Sequence, residues 1–157
     1  MRKQIIDASM AGTSAEVCSW LDLMEEAEVQ LTSEDVEHSI ENALSLTGSG
    51  GWRAAGPGRQ IIRLLFKKAQ EIRRIRLEFI EHEMERNQEF ALHYGEANDA
   101  VLREILRQQW TFSPQGSVME VEDYTVDLRR VAVLQLTIDP DRGKNRATAT
   151  LNRWSVA

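Results

Sequence analysis

The sequence predicts an all-β protein, a β-sandwich, because its C-terminal third alternates apolar and polar residues over three consecutive runs. The first run covers residues 119–128, and the second, residues 131–138, is rich in β-branched and apolar side chains. A turn at residues 139–145 contains a proline and a glycine and leads into a third run at residues 147–156. Strands separated by turns at intervals of about a dozen residues are typical of a β-sandwich.

A short amphipathic helix is predicted near the N-terminus, at residues 14–27. Thr13 or Ser14 can cap it, and its apolar residues recur at positions i, i+3, i+4 and i+7. These are Val17, Trp20, Leu21 and Met24. After the helix, Val29 and Leu31 alternate with polar neighbours, which predicts the first strand.

The central part of the chain allows two interpretations. After a glycine-rich loop at residues 47–58, strand-like runs cover residues 60–66 and 72–80, separated by a charged segment. Residues 67–109 are rich in Lys, Arg, Glu, Gln, Leu and Ala, which favour helices. A helix over these residues places charged side chains on its buried face, whereas the alternation of a strand keeps them on the solvent-exposed face. The pattern alone leaves both structures open for residues 67–109.

The length and composition indicate one domain whose stability requires neither disulfide bonds nor a bound metal ion. A chain of 157 residues can bury roughly two thirds of its unfolded surface. Cys18 is the single cysteine, so an internal disulfide is excluded. No apolar run approaches the ~20 residues of a membrane span, and no apolar stretch follows the basic start. We therefore expect no signal peptide, no membrane partner and a cytoplasmic location.

The net charge of −6 is spread unevenly along the chain. Residues 1–50 hold two basic and ten acidic side chains, whereas residues 51–157 hold 17 basic and 15 acidic ones. The acidic part is interpreted as a solvated leader, with a partner-binding arm as the alternative. The basic run at residues 67–76 is interleaved with glutamates and has few aromatic neighbours. This pattern predicts a salt-bridged sheet face and no nucleic-acid partner.

The inventory of reactive residues does not indicate an enzyme. His38, His82 and His93 lack the spacing of a zinc motif, and no nucleophile elbow is present. The glycine-rich loop at residues 48–51 lacks the Lys-Ser/Thr of a phosphate-binding loop. Cys18 has no histidine near it in sequence, which favours a buried, inert thiol. We expect no catalysis, no metal and no cofactor.

A set of segments carries a resemblance to a known family. The second half of the chain contains RQQWTFSP (107–114), EVEDY (120–124), LQLTIDPD (134–141) and ATATL (147–151), and the first half contains IENAL (40–44), Trp52-Arg53 and RRIRLEF (73–79). Together they resemble bacterial discoidin-like domains, relatives of the galactose-binding jelly rolls and the coagulation-factor C-type domains. The resemblance covers about residues 29–157. It implies an antiparallel jelly-roll β-sandwich of about eight strands, with a short N-terminal helix or leader, and thus strands within residues 67–109.

The resemblance also implies a domain division and a function. Residues 1–26 are expected to be a partly helical leader, and residues 27–157 the sandwich domain. The function it implies is that of a non-catalytic module binding a carbohydrate, or another small polar ligand, at the loop end of the sandwich. The alternative is a protein-interaction or assembly module, with a protein partner or a second copy held through a sheet face or the acidic leader.

Four residues are candidates for ligand binding: Trp52, Arg53, Arg86 and Trp110. Sugar recognition uses an aromatic face for the C–H side of the ring and planar polar groups for its hydroxyls. Trp52 and Arg53 follow the glycine-rich loop, where a jelly roll presents residues at one end. For Trp52 and Trp110, packing in the core is the competing interpretation.

Overall fold

The computed structural model describes residues 20–98 and 101–157, and it confirms the all-β prediction. The described residues form eight strands: β1 Ala27–Leu31, β2 Trp52–Pro57, β3 Gln60–Ile80, β4 Arg86–Gly95, β5 Arg103–Phe112, β6 Met119–Asp139, β7 Thr148–Leu151 and β8 Arg153–Val156. Two four-residue helices accompany them, α1 Leu23–Glu26 and α2 Glu41–Leu44. No helix in this part of the chain is long and apolar enough to cross a membrane.

Residues 67–80, 86–95 and 103–109 lie in strands, as the resemblance implied, but several predicted strand boundaries are wrong. The predicted runs at residues 60–66 and 72–80 are one continuous strand, β3, and the two runs before residue 139 are likewise one strand, β6. The third run divides at Asn152 into β7 and β8. Of the predicted helix at residues 14–27, residues 14–19 lie outside the described residues, and α1 is the helical part of the rest.

The two long strands explain why the predicted breaks are absent. One sheet has the order β1-β3-β6-β4-β5, and β8 pairs with the second half of β3. The first half of β3 pairs with the second half of β6, and the second half of β3 pairs with the first half of β6. The register shifts between these two paired regions, from Leu65 to Arg74 of β3. The sheet folds over itself at these shifts, so β3 and β6 stay extended as they pass from a five-stranded layer to a three-stranded layer.

The core lies between the two layers. The rings of Phe79, in the second half of β3, and Phe90, in β4, lie 5.2 Å apart between centroids. Such a pair contributes about 1 kcal/mol beyond the burial of its area. Trp154 of β8 and Leu23 of α1 are buried in the same cluster. Leu21 belongs to the predicted leader, and its amide donates to the Val156 carbonyl of β8 at 2.7 Å. The division between leader and sandwich at residue 26 stays a prediction.

The outer face of the three-stranded layer carries the predicted ion pairs. Arg74 Nε donates to Asp123 Oδ1 at 2.8 Å, and Arg76 Nη2 lies 3.0 Å from Glu78 Oε1. The Arg74 guanidinium holds the pKa of the Asp123 carboxyl below its usual range. The arginines of the basic run, Arg73, Arg74 and Arg76, are therefore engaged with acidic neighbours on their own sheet.

A small second sheet stands at one end of the sandwich. β2 pairs with β7, with Trp52 opposite Leu151 and Arg53 opposite Thr150. The loop before β2 is fastened by Arg153, whose Nη1 donates to the Ser45 carbonyl at 3.0 Å. The β2–β7 pairing and the Arg153 hydrogen bond hold this end of the sandwich in place. The candidate cleft lies at this end.

Candidate functional site

Two adjoining depressions, with volumes of 260 and 290 Å³, open at the end of the sandwich where β2 begins and β3 ends. We call them together the loop-end cleft. Its residues are Arg53, Ile80 and Thr150, shared by both depressions; His38, Gly50, Gly51, Trp52, Leu151 and Asn152 on one side; and Glu81, His82, Glu83, Met84, Arg146 and Thr148 on the other.

Arg53 lies at the centre of the loop-end cleft. Its backbone is fixed on two sides, because its amide donates to the His38 carbonyl at 3.1 Å and its carbonyl accepts from the Asp35 amide at 2.8 Å. Its half-buried side chain makes no hydrogen bond or ion pair with any described residue. A guanidinium has five N–H donors in a fixed plane, so this side chain can donate to a ligand.

His38 lies beside Arg53 and is held by a carboxylate. His38 Nδ1 lies 3.2 Å from Asp35 Oδ2, while Asp35 Oδ1 accepts from the Glu37 amide at 3.1 Å. The Glu37 amide lowers the pKa of Asp35, and His38 and Arg53 lower it further. A contact at Nδ1 fixes the ring and leaves Nε2 for other partners.

The remaining lining of the cleft is polar and aliphatic. Asn152 Nδ2 donates to Glu78 Oε2 at 3.1 Å, which fixes the amide plane at the edge of the cleft. The Thr148 hydroxyl makes no hydrogen bond with a described residue. Ile80 and Met84 supply partly exposed apolar surface. The arrangement can hydrogen-bond a small polar ligand against an aliphatic wall.

Trp52 is brought next to Arg53, as the sequence suggested, but it is 2% exposed. Its Nε1 donates to the Ser33 carbonyl at 3.2 Å, so its polar edge has a protein partner. The tryptophan, tyrosine and phenylalanine side chains within residues 20–98 and 101–157 are all buried or half-buried. The described lining of the loop-end cleft thus offers no open tryptophan, tyrosine or phenylalanine ring on which a sugar could stack.

Arg86 lies behind the cleft, with its side chain fully buried. Its Nε donates to Glu81 Oε1 at 2.7 Å, and its Nη1 donates to Gln88 Oε1 at 2.9 Å and the Pro140 carbonyl at 2.8 Å. Its guanidinium carbon lies 4.7 Å from the centroid of the Phe112 ring. The donors of Arg86 are turned towards protein groups, and it supports Glu81 at the base of the cleft.

Trp110 lies apart from the other three candidates, on edge strand β5. It is opposite Gln88 in the β4–β5 register and packs half-buried against the core. Its indole Nε1 is buried without a hydrogen-bond partner among the described residues. Of the four predicted residues, the structure therefore brings Trp52 and Arg53 to one cleft, with Arg86 behind it and Trp110 elsewhere.

A buried carboxyl continues the polar contacts of Arg86 into the core. Gln88 accepts from Arg86 and donates to Glu120 Oε1 at 3.3 Å. Burial raises the pKa of Glu120 to about 8, and the neighbouring Glu122 raises it as well. Burial therefore favours the protonated form of Glu120. No group of three or more histidine, cysteine or acidic side chains among the described residues could hold a metal ion.

Sequence reasoning did not identify His38, Arg146, Thr148 or Asn152 as residues of the cleft. The strand-like alternation at residues 147–151 placed Thr148 and Thr150 on one face, which was a usable signal. No local signal places His38 beside Arg53, because their contact depends on backbone bonds between distant segments.

No protein-family model matches this sequence, and no curated protein matches it. Solved structures are similar to it. A family 32 carbohydrate-binding module from C. perfringens NanJ, in complex with galactose, has a TM-score of 0.65 and 14% identity, over 87% of this chain and 96% of that one. The family 32 module of AlyQ, in complex with 4,5-unsaturated mannuronic acid, has a TM-score of 0.59 and 17% identity, over 85% and 95%. Reduced XRCC1 bound to the DNA polymerase β catalytic domain has a TM-score of 0.61 and 15% identity, over 84% and 97%.

These similarities concern the fold. The chain has the discoidin-like, galactose-binding-like sandwich that the sequence resemblance implied. At identities below one fifth, residues of the sites in those proteins are not transferred to this chain. The chemistry of the loop-end cleft has to be derived from its own side chains.

Proposed function

We propose that this chain is a non-catalytic module that binds a carbohydrate in the loop-end cleft. The observation that carries the proposal is the half-buried guanidinium of Arg53, which has no hydrogen-bond partner among the described residues and lies beside the oriented His38. A planar guanidinium and an imidazole can together hydrogen-bond neighbouring sugar hydroxyls. Modules of the same fold solved with galactose and with a mannuronic acid derivative support the ligand class.

The expected affinity is modest, because the cleft lacks a stacking platform. Ile80 and Met84 offer aliphatic contacts to the C–H face of a sugar, and these bury less area than an aromatic ring does. A few hydrogen bonds, after the cost of immobilising the ligand is subtracted, give a free energy of binding of about −4 to −5.5 kcal/mol. We therefore expect dissociation constants of about 0.1 to 1 mM.

The test is a glycan array followed by calorimetric titration of each sugar bound on the array, with the wild type and Arg53→Gln. The variant removes the planar cation but breaks no side-chain hydrogen bond or ion pair with a described residue, so its melting temperature should stay near that of the wild type. Binding should fall by about tenfold or more, the value of a hydrogen bond to a charged group.

Arg129→Gln is the matched control for the charge change. Arg129 is 80% exposed and lies on β6 far along the strand from Met119, which pairs with Ile80 at the cleft. Its replacement should leave sugar binding unchanged. Absence of array signal and of heat across neutral and acidic sugars would overturn the proposal.

A second candidate function is protein interaction through the outer face of β6. Met119 and Val121 are adjacent on this face and are 49% and 43% exposed. The XRCC1 structure supports this candidate, since it is a protein of the same fold solved with a protein partner. Light scattering should then give a mass above 17.9 kDa, reduced by Met119→Ser with Val121→Ser. A strict monomer that captures no partner would contradict it.

A further inference from the structure

A second arginine lies in the same half of the loop-end cleft as Arg53. Arg146 follows the β6–β7 turn, and its side chain is 68% exposed. Its one ion-pair contact with a described residue is long, 3.7 Å from Nη2 to Asp141 Oδ2. The other oxygen of Asp141 accepts from the Asn87 amide at 3.3 Å. Arg146 is therefore loosely held and can turn towards a ligand between itself and Arg53.

The carboxylates of this half of the cleft are largely occupied. Glu81 Oε1 accepts from Arg86 at 2.7 Å, and Glu81 Oε2 accepts from the Glu83 amide at 3.0 Å. Glu83 is exposed, and it is the other carboxylate of the lining. Glu81 is thus bonded to the buried Arg86, and Glu83 is the carboxylate of this lining that has no cation bonded to it among the described residues. Asp35 and Asp141 lie near Arg53 and Arg146 but outside the lining, and neither accepts a hydrogen bond from these two guanidinium groups.

We infer that the ligand of the loop-end cleft is an acidic sugar, a hexuronate, whose carboxylate is held between Arg53 and Arg146. The inference rests on the proposed function and names the substrate class of the same site. A guanidinium matches a carboxylate with two parallel N–H···O bonds, which hydroxyl groups cannot reproduce in strength. The Thr148 hydroxyl, which has no partner among the described residues, lies in the same depression and is available to the sugar hydroxyls.

The experiment compares sugars that differ only at C6, where a carboxylate replaces a hydroxymethyl group. The pairs are galacturonate with galactose, glucuronate with glucose, and mannuronate with mannose, titrated calorimetrically into the full chain. At least one uronate should bind about tenfold to hundredfold more tightly than its neutral partner, the effect of a charge-assisted hydrogen bond. Its affinity should fall as sodium chloride rises, since salt screens the attraction.

Arg146→Gln should weaken binding of the uronate more than binding of the neutral sugar, and so reduce the preference for the uronate. Lys144→Gln is the matched control, because Lys144 lies in the same turn, is exposed and does not line the loop-end cleft. This control should retain the preference for the uronate.

The outcomes separate this inference from the proposed function. Equal or tighter binding of the neutral sugars, unaffected by Arg146→Gln, overturns the acidic ligand and keeps the carbohydrate-binding module. Absence of binding by all six sugars and by the array overturns the proposed function itself. An equal loss in Arg146→Gln and Lys144→Gln shows non-specific electrostatic attraction and also overturns the inference.

Discussion

Replacing Arg86 with alanine removes a fully buried cation from a largely buried set of polar groups. Glu81 is then left with an unpaired carboxylate whose side chain is 11% exposed, and the Pro140 carbonyl and Gln88 lose a donor. The contact between the guanidinium and the Phe112 ring is lost as well. The substitution therefore tests whether Arg86 is a structural residue behind the cleft or one that serves the ligand.

The magnitude follows from the burial of the pair. Removing one partner of a buried ion pair costs about 3 to 5 kcal/mol, and the lower end applies here because Glu81 lines the loop-end cleft and keeps some contact with solvent. For a domain of this size, each kcal/mol lowers the melting temperature by about 2 to 4 °C. We expect Arg86→Ala to melt roughly 10 °C below the wild type. Arg86→Lys keeps the charge but loses the planar donors, and its loss should be smaller.

The assay is urea unfolding at pH 7, followed by circular dichroism and tryptophan fluorescence. Arg107→Ala is the control, because Arg107 also pairs with two glutamates, Glu89 and Glu104, each at 2.6 Å, but is 47% exposed. An exposed pair contributes about 1 kcal/mol or less. A free energy of unfolding for Arg86→Ala within 1 kcal/mol of the wild type, or no larger a loss than in Arg107→Ala, would refute the reasoning.

Two further predictions concern single positions. The pKa of Glu120 is raised from 4.5 to about 8, so the folded state keeps a proton that the unfolded state releases. Stability should fall as pH rises from 5 to 8, by at most about 1.4 kcal/mol per pH unit, and Glu120→Gln should flatten this slope in urea unfolding. An unchanged slope in the variant contradicts the buried, protonated carboxyl. Gly51 has φ +69°, and a Cβ there would lie 2.9 Å from the Leu151 carbonyl oxygen, so Gly51→Ala should cost about 1 to 3 kcal/mol. Gly56→Ala, with nothing within 4 Å of its Cβ, should be nearly neutral in the same assay, and equal losses at both glycines would show that contact is not the cause.

The sequence predicts a strand wherever the pattern depends only on residues that are neighbours along the chain. In β6 the runs at residues 119–128 and 131–138 alternate because successive residues of a strand point to opposite faces, and this holds wherever the strand lies. That these two runs form one continuous strand could not be predicted from the sequence. The sequence contains no signal for a strand that passes from one layer to the other through exposed residues, since that path depends on pairing with β3.

The candidate site was only partly readable, and Trp52 shows why. Its position after the glycine-rich loop correctly placed it at one end of the sandwich, beside Arg53. Whether its ring faces solvent or the core depends on Ser33 and Leu151, which reach it from other parts of the chain. The composition permitted both arrangements, and the packing places Trp52 inside.

The sequence by itself determined the period of the strands, the positions of the main turns and the absence of an internal disulfide. The tertiary structure alone decided which arginine is buried and which is available. Arg53 and Arg86 look alike in sequence, each in a strand and next to a loop. Arg86 meets Pro140 and Thr150, 54 and 64 residues away, whereas the guanidinium of Arg53 makes no hydrogen bond with any described residue. Strand period is set by neighbouring backbone geometry, but the burial of a charge depends on the partners that the whole fold brings to it.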